Sequence, residues 1–317
     1  MNELKSKLLY SVKGPVFTVF TPFQEDYSVD FNALENYISF MYSRGARLFY
    51  VMPYNSRYSQ LNNQEIGELN RFAIETTKQL SKDNIIFVGD PIHCSTQTSL
   101  EFAKSAKEWG ADAISLIIRE KYFCDQQIID HLSWIGEAAN FPILVHEMPF
   151  LSGFDGTNLN WSSELLEKVS RIPQVFGIKE DAKDLNVARF ALSLEPNLRV
   201  IFAGTKNTFL PLKNDGLQSY LNGISIIDPQ IGLKFWDAWN ASEDPVIEMI
   251  ISKLEQPFFG GPVKKYGWHR CNKALLQAAG LMHRRDRMPM PELNENEFEE
   301  VCNVYSVIKE SFPLLNL

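Results

Sequence analysis

Lys179 closes the apolar run Val175-Phe176-Gly177-Ile178 and is followed at once by Glu180-Asp181. An amine in such a place gives up part of its hydration, which favours the neutral form that attacks a carbonyl carbon. The competing reading is an ammonium paired with Glu180 or Asp181 at a loop mouth. His146-Glu147 close a second apolar run, begun at Ile143. A histidine there serves as an acid/base, a metal ligand, or a packed ring donating to a backbone carbonyl. A metal site needs several His, Asp or Glu side chains converging. Asp90, His93, His146 and Glu147 offer the types but no ligand spacing, so neither a metal nor a cofactor is expected. Ser56 and Ser225 lack an evident His–Asp relay, which weighs against a serine hydrolase. Thr21, Tyr54-Asn55-Ser56 and Asp90 are further polar groups at the ends of apolar runs. Tyr122-Phe123 follows another, as an interface contact or a lid.

These groups acquire meaning from the elements that carry them. Strands are expected at Val16–Phe23, Leu48–Met52, Ile85–Gly89, Ala113–Ile118, Ile143–Glu147, Val175–Lys179, Arg199–Gly204 and Gly223–Ile227. Amphipathic helices are expected at 31–44, 63–81, 97–109, 125–139, 161–170, 184–194, 207–219 and 230–241. In 125–139, Asp125 is the expected N-cap, Ile128, Leu132, Ile135 and Ala139 recur at helical spacing, and Asn140 and Pro142 stop the helix. The strands are near-continuous apolar runs, the pattern of parallel strands covered on both faces. Eight strand–helix units predict an α/β (β/α)8 TIM barrel, residues 1–242. A doubly wound open sheet is the alternative, but no Gly-rich phosphate fingerprint follows the first strand. Residues 243–317 read as a helical region beside the barrel, with helices at Val263–Ala279 and Glu295–Ser311. Barrel active sites are built at the C-terminal strand ends. Neighbouring strands lie about 4.8 Å apart, so His146 and Lys179 are placed to face one another.

The chain has 317 residues, of which 45% are hydrophobic and 22% charged, with a net charge of -8. That composition excludes a disordered or fibrous chain, and its sign supplies no field for nucleic acid or anionic membrane. The compact basic run from Lys264-Lys265 to His269-Arg270 reads as a solvated face. Cys94, Cys124, Cys271 and Cys302 form no C-x-x-C pair, which fits a reducing compartment. The N-terminal segment has no apolar core of signal-peptide length, and no stretch reaches the roughly 18 apolar residues of a membrane span. A soluble, cytoplasmic protein is expected.

The strand-end residues also carry a resemblance. Val19-Phe20-Thr21-Pro22-Phe23 with Asp30, Leu61-Asn62 with Glu65, and Gly110-Ala111-Asp112-Ala113 are motifs of this kind. So are Phe176-Gly177-Ile178-Lys179-Glu180-Asp181 with Asp184, Gly223-Ile224-Ser225, and Lys273-Ala274-Leu275 with Gly280 and Arg287-Met288-Pro289. Together they resemble the dihydrodipicolinate synthase / N-acetylneuraminate lyase family of class I, Schiff-base aldolases, over nearly the whole chain. The resemblance implies that Lys179 forms a Schiff base with pyruvate or another 2-oxo acid. It implies that His146 or Tyr54 moves protons and that Asn55 and Ser56 hold the carboxylate. Thr21, Leu151, Ile224 and Ser225 line the substrate in the same reading. A homo-oligomer, tetramer or dimer, is implied as well.

The chain also departs from the family pattern. The carboxylate-binding G-T-T-G-E loop falls on Pro53-Tyr54-Asn55-Ser56-Arg57, and the catalytic tyrosine of strand five on His146. The synthase arginine five residues beyond falls on Leu151. Its surroundings, Pro149-Phe150-Leu151-Ser152-Gly153, are more similar to the P-x-L-[TS]-G of the neuraminate lyase branch. That branch's acidic pair after strand seven falls on Lys206-Asn207. Two functions follow: a Schiff-base lyase that is synthase-like without being a true synthase, or a barrel with altered or lost chemistry that serves in binding or regulation. Loss of a charge-assisted contact at Leu151 costs about 1.5–3 kcal/mol, or roughly tenfold to over a hundredfold in kcat/KM. Steady-state assay with pyruvate and aspartate semialdehyde is therefore expected to give very weak turnover or none. Ordinary synthase rates would refute this.

Overall fold

Apolar runs of four to six residues need cover on both faces, and a closed barrel wrapped in helices supplies it. The structure is a computed structural model that describes residues 3–51, 54, 58–92, 94–118, 124–147, 160–181 and 184–317. Among them eight parallel strands close in sequence order: β1 (Gly14–Thr18), β2 (Leu48–Val51), β3 (Ile85–Gly89), β4 (Ala113–Ile118), β5 (Ile143–Glu147), β6 (Val175–Glu180), β7 (Arg199–Phe202) and β8 (Ser219–Leu221). Closure is made where Gly14, Pro15 and Val16 pair with Ser219, Tyr220 and Leu221, which excludes the open sheet. Helix α1 (Glu3–Ser11) precedes the barrel. Helices α2 (Phe31–Ser43), α3 (Asn63–Leu80), α4 (Thr96–Trp109), α5 (Asp125–Ala139), α6 (Ser163–Ser170) and α7 (Leu185–Ser193) follow β1 to β6 in turn, and α8 (Pro229–Ala241) follows β8. Among the described residues no helix is long and apolar enough to cross a membrane.

Side chains on alternate strand positions fill the barrel. Val16, Leu48, Tyr50, Ile85, Phe87, Ala113, Leu144, Phe176, Ile201 and Leu221 form one buried inner cluster. Phe87 lies 5.3 Å from Phe176 with the rings tilted by 38°, and it meets Tyr50 edge-on at 6.2 Å, a geometry that aromatic quadrupoles favour. Helix α1 was not foreseen. Its Leu8, with Val12 just beyond it, joins the inner cluster and plugs the N-terminal end, where Arg199 at the start of β7 donates to the Leu9 carbonyl. The other strand faces pack against the helices in a larger apolar layer.

Helix starts follow local chemistry. Asp30, Ser95, Ser162 and Asp184 accept backbone N–H bonds at the N-caps of α2, α4, α6 and α7. Asn62 and Glu65 form a reciprocal capping box on α3. The expected cap Asp125 is instead the first residue inside α5. Cys124 is the N-cap, and its N–H donates to the Gln127 side chain at 2.9 Å.

Three other expectations are corrected. The first strand begins at Gly14 and ends at Thr18, so Val19–Phe23 lie beyond it. The eighth strand is Ser219–Leu221, and Gly223–Ile226, expected as strand, is a 3-10 turn. Gly223 takes a φ of +56°, which ends the extended path, and a Cβ there would lie 2.8 Å from the Glu255 carboxylate. Finally, 207–219 is not a helix. Pro211 and Gly216 interrupt it, leaving 3-10 turns at Lys206–Thr208 and Leu210–Leu212 before β8.

Beyond α8 run α9 (Asp244–Met249), a π-helical turn (Ile250–Glu255), α10 (Gln256–Phe259), α11 (Pro262–Tyr266), α12 (Trp268–Ala278) and α13 (Glu295–Glu310). The single helix expected over 263–279 breaks at Gly267, with φ +92°. This region grips the C-terminal end of the barrel. Lys273 Nζ donates to the Thr21 carbonyl at 2.6 Å, and Arg287 binds the Gln60 carbonyl at 3.2 Å and Glu65 at 2.9 Å. Lys206, after β7, meets Glu255 of the π-turn twice, through its ammonium at 2.9 Å and its backbone N–H at 2.6 Å. Both side chains are buried. Removing one partner of such a pair strands the other charge, at a cost of about 3–5 kcal/mol. Glu255→Ala is expected to lower the unfolding free energy by that amount, measured by denaturant titration. A loss under about 1 kcal/mol would show that the clamp does not act this way.

Candidate active site

The strands that carry the leading candidate residues are β5 and β6. In β5, Leu144 points inward, so two residues on His146 shares the inner face. In β6, Gly177 lies where a Cβ would stand 2.7 Å from the Arg199 carbonyl and 3.3 Å from Leu144 Cδ1. Only glycine permits that approach, and the pairing register shifts by one residue beside it. After the shift, His146 pairs directly with Lys179, and Lys179 pairs with Ile201, itself an inner-face residue. Lys179 and His146 therefore stand side by side at the C-terminal end of the barrel, as their positions in the sequence predict.

Both are buried. His146 has no exposed surface and Lys179 retains 2%. Among the described residues, neither imidazole nitrogen has a hydrogen-bond partner. Burial, reinforced by the neighbouring Lys179 charge, drives the His146 pKa well below the ordinary histidine value. The ring is thus neutral at pH 7 and holds both a free acceptor nitrogen and a free donor N–H. The alternative of a histidine packed by donation to a carbonyl has no such bond among the described residues. Lys179 Nζ lies 2.7 Å from Asp181 Oδ2, and both side chains are nearly inaccessible. The ammonium is therefore desolvated but paired. Asp181, not Glu180, is the partner because side chains alternate along the strand. Glu180 pairs with Phe202 of the outer layer.

The other sequence candidates distribute unevenly. Tyr54 is half-buried, packs on the inner cluster and stacks on Trp268 of α12 at 6.2 Å and 28°. Thr21 is buried at the start of the loop after β1, where its carbonyl receives Lys273. Ile224 lies in the outer apolar layer, and Ser225 Oγ stands 3.0 Å from where a Cβ on Gly232 of α8 would be. Asn55, Ser56 and Leu151 lie outside the described residues, as do His93 and Tyr122-Phe123. Among the described residues no three His, Cys, Asp or Glu side chains gather as a metal site.

Asp90, at the end of β3, is fully buried. Burial pushes its pKa up to about 7, against hydrogen bonds from Ser99 Oγ at 2.6 Å and Cys94 Sγ at 3.7 Å. Nearby, the Tyr50 and Ser115 hydroxyls bond at 2.5 Å inside the barrel. Sequence reading passed over Tyr50, Ser115 and Trp268. The first two look like ordinary strand residues, and the third stands 214 positions from the tyrosine it touches. Asp181 did carry a signal, since the i, i+2 spacing from Lys179 puts both on one face of an extended strand.

The comparisons with known proteins agree with this architecture. The dihydrodipicolinate synthase of Bacillus clausii superposes with a TM-score of 0.82 at 19% identity, covering 95% of this chain and 99% of that one. The 4-hydroxy-tetrahydrodipicolinate synthase of Methylacidiphilum fumariolicum also gives 0.82 at 19%, with 96% and 99% covered. In sequence, the chain is 24% identical over 242 residues to an uncharacterized DapA-like lyase of Pyrococcus furiosus, covering 72% of this chain and 74% of the relative. It is 23% identical over 300 residues to the 4-hydroxy-tetrahydrodipicolinate synthase of Anaplasma marginale, covering 92% and 94%. The sequence model of the dihydrodipicolinate synthetase family matches residues 11–308, almost the entire barrel and its helical extension, and the chain belongs to that family.

Proposed function

We propose that this protein is a class I carbon–carbon lyase that forms a Schiff base between Lys179 and pyruvate or another 2-oxo acid, and that it is not a true dihydrodipicolinate synthase. The observation that carries this reading is the register pair on β5 and β6: a buried amine beside a buried, neutral imidazole with no described partner. An iminium at Lys179 withdraws electrons from the adjacent carbon, so a C–C bond or an α proton next to it is readily broken. A neutral imidazole takes up or returns that proton. His146 does so in place of tyrosine, and the two differ: free tyrosine, with a pKa of about 10, starts as a donor, whereas neutral histidine also accepts. Asn55 and Ser56 are assigned to the substrate carboxylate, and Leu151 to the second substrate's end, on sequence grounds. Tyr54 is the second proton carrier. A homo-oligomer and a cytoplasmic location belong to the same reading.

Reductive trapping tests the nucleophile. With pyruvate and borohydride the protein is expected to gain one adduct, mapped to Lys179, and Lys179→Ala to lose both trapping and turnover. Lys273 is the informative competitor, a buried lysine whose pKa burial lowers to about 8. An adduct there would overturn the assignment of Lys179, and none on any lysine would favour the binding-protein alternative.

The base is tested by pH. Protonation removes the acceptor form of His146, and both burial and Lys179 oppose protonation. The acid limb of kcat/KM is therefore expected below the ordinary histidine pKa of about 6.5. His146→Gln should abolish that limb and cost about 10²–10⁴-fold in rate. Near-normal turnover by His146→Phe would reduce the ring to packing and pass the role to Tyr54.

A further inference from the structure

Asp181 stands where the first proton transfers of Schiff-base chemistry must occur. Its Oδ2 is 2.7 Å from Lys179 Nζ, and among the described residues no other acidic side chain forms an ion pair with that amine. The pair is a poor candidate for a structural clamp. Its members are two residues apart on one strand end, so their contact ties no distant elements together. The Lys206–Glu255 pair, by contrast, joins positions 49 apart. A buried ion pair is in general a weak source of stability, because desolvation offsets the attraction. Yet Asp181 keeps only 7% of its surface exposed.

Resting on the Schiff-base reading above, we propose that Asp181 is a catalytic residue, the proton shuttle of imine formation and the counterion of the iminium. The Lys179 ammonium gives one proton to Asp181, and the freed lone pair attacks C2 of the 2-oxo acid. The N–C bond forms and the carbonyl π pair moves to oxygen, which takes a second proton from nitrogen to give a carbinolamine. Asp181 then returns its proton to that hydroxyl, the C–O bond breaks and water leaves. The third nitrogen-bound proton stays on the iminium. No oxidation state changes in the amine or the carboxylate, and Asp181 ends as a carboxylate facing the new positive charge. The division of labour is geometric. Asp181 serves the nitrogen and the leaving oxygen, and His146, on the neighbouring strand, serves the carbon side.

The test is the rate of reductive trapping with pyruvate and cyanoborohydride, followed by intact mass and peptide mapping, in wild type, Asp181→Asn and Asp181→Ala. The expected result is a Lys179 adduct in all three, formed about a hundredfold or more slowly in both variants, with added formate restoring part of the rate in Asp181→Ala. Trapping as fast as wild type, or faster, would overturn the proposal and make Asp181 a mere restraint on the amine. Failure of both variants to fold would overturn it too, by making the pair structural. Absence of any adduct in wild type is a distinct result, which removes the Schiff-base reading itself.

Discussion

Lys179 carries a positive charge into the inner face of a closed barrel, where water that would screen it is largely excluded. The polar groups placed around it answer to that charge. His146 stays neutral because burial disfavours its charged form and the positive charge beside it adds to that. Among the described residues, Asp181 supplies the charge of opposite sign in contact with it. A neutral base and an anionic partner thus flank one amine on two sides, an arrangement suited to moving protons at both a nitrogen and a neighbouring carbon.

The barrel makes this arrangement possible by being solid underneath. Phe87, Phe176 and Tyr50 fill the layer below, and Leu8 and Val12 stop the far end. The side chains above therefore rest on a packed floor and not on a water-filled channel. Gly177 contributes by omission, because its missing side chain lets β6 approach β7 and shift register so that Lys179 comes level with His146. At the open end the helical region does the holding. Trp268 lies against both Tyr54 and Phe20, so α12 supports the first two strand-end loops together.

What could be read from the sequence follows from what each segment must bury. Ala113–Ile118 is a near-continuous apolar run and Ile143–Glu147 is one closed by His146-Glu147, and their observed bounds are those expected. Ser219-Tyr220-Leu221 has no such run, yet it closes the barrel because both of its neighbours present unpaired edges. Gly223–Ile226 has the run without the strand, because burial alone does not distinguish an extended segment from a 3-10 turn. Many motif residues that carry the family resemblance, such as Asp30, Asn62 with Glu65, Gly110 and Asp184, prove to be helix caps. They report the fold more than the chemistry. Lys179 and His146 were legible because an ionisable residue at the end of an apolar strand has few structural reasons to be there. Contacts such as Trp268 with Tyr54 were not, since nothing in local spacing links residues so far apart in the chain.

Four lysines are buried, Lys5, Lys179, Lys206 and Lys273, and burial alone does not distinguish among them. Lys206 is answered by Glu255 and lies over the Tyr220 and Phe235 rings, both in the outer apolar layer. Lys273, its pKa lowered by burial, is the amine that acidity alone would single out. Its ammonium, however, is committed to the Thr21 carbonyl and sits over Phe23, again in the outer layer. Neither has a described acid/base group beside it on the inner face. Lys179 differs in address and company: the inner face, the C-terminal strand end, a neutral imidazole in register and a carboxylate two residues on. In the proposed reaction a carbonyl compound entering the barrel mouth meets that amine with the Asp181 carboxylate already in contact. In the proposed Schiff-base reaction, strand register, more than the acidity of any one lysine, selects the group that reacts.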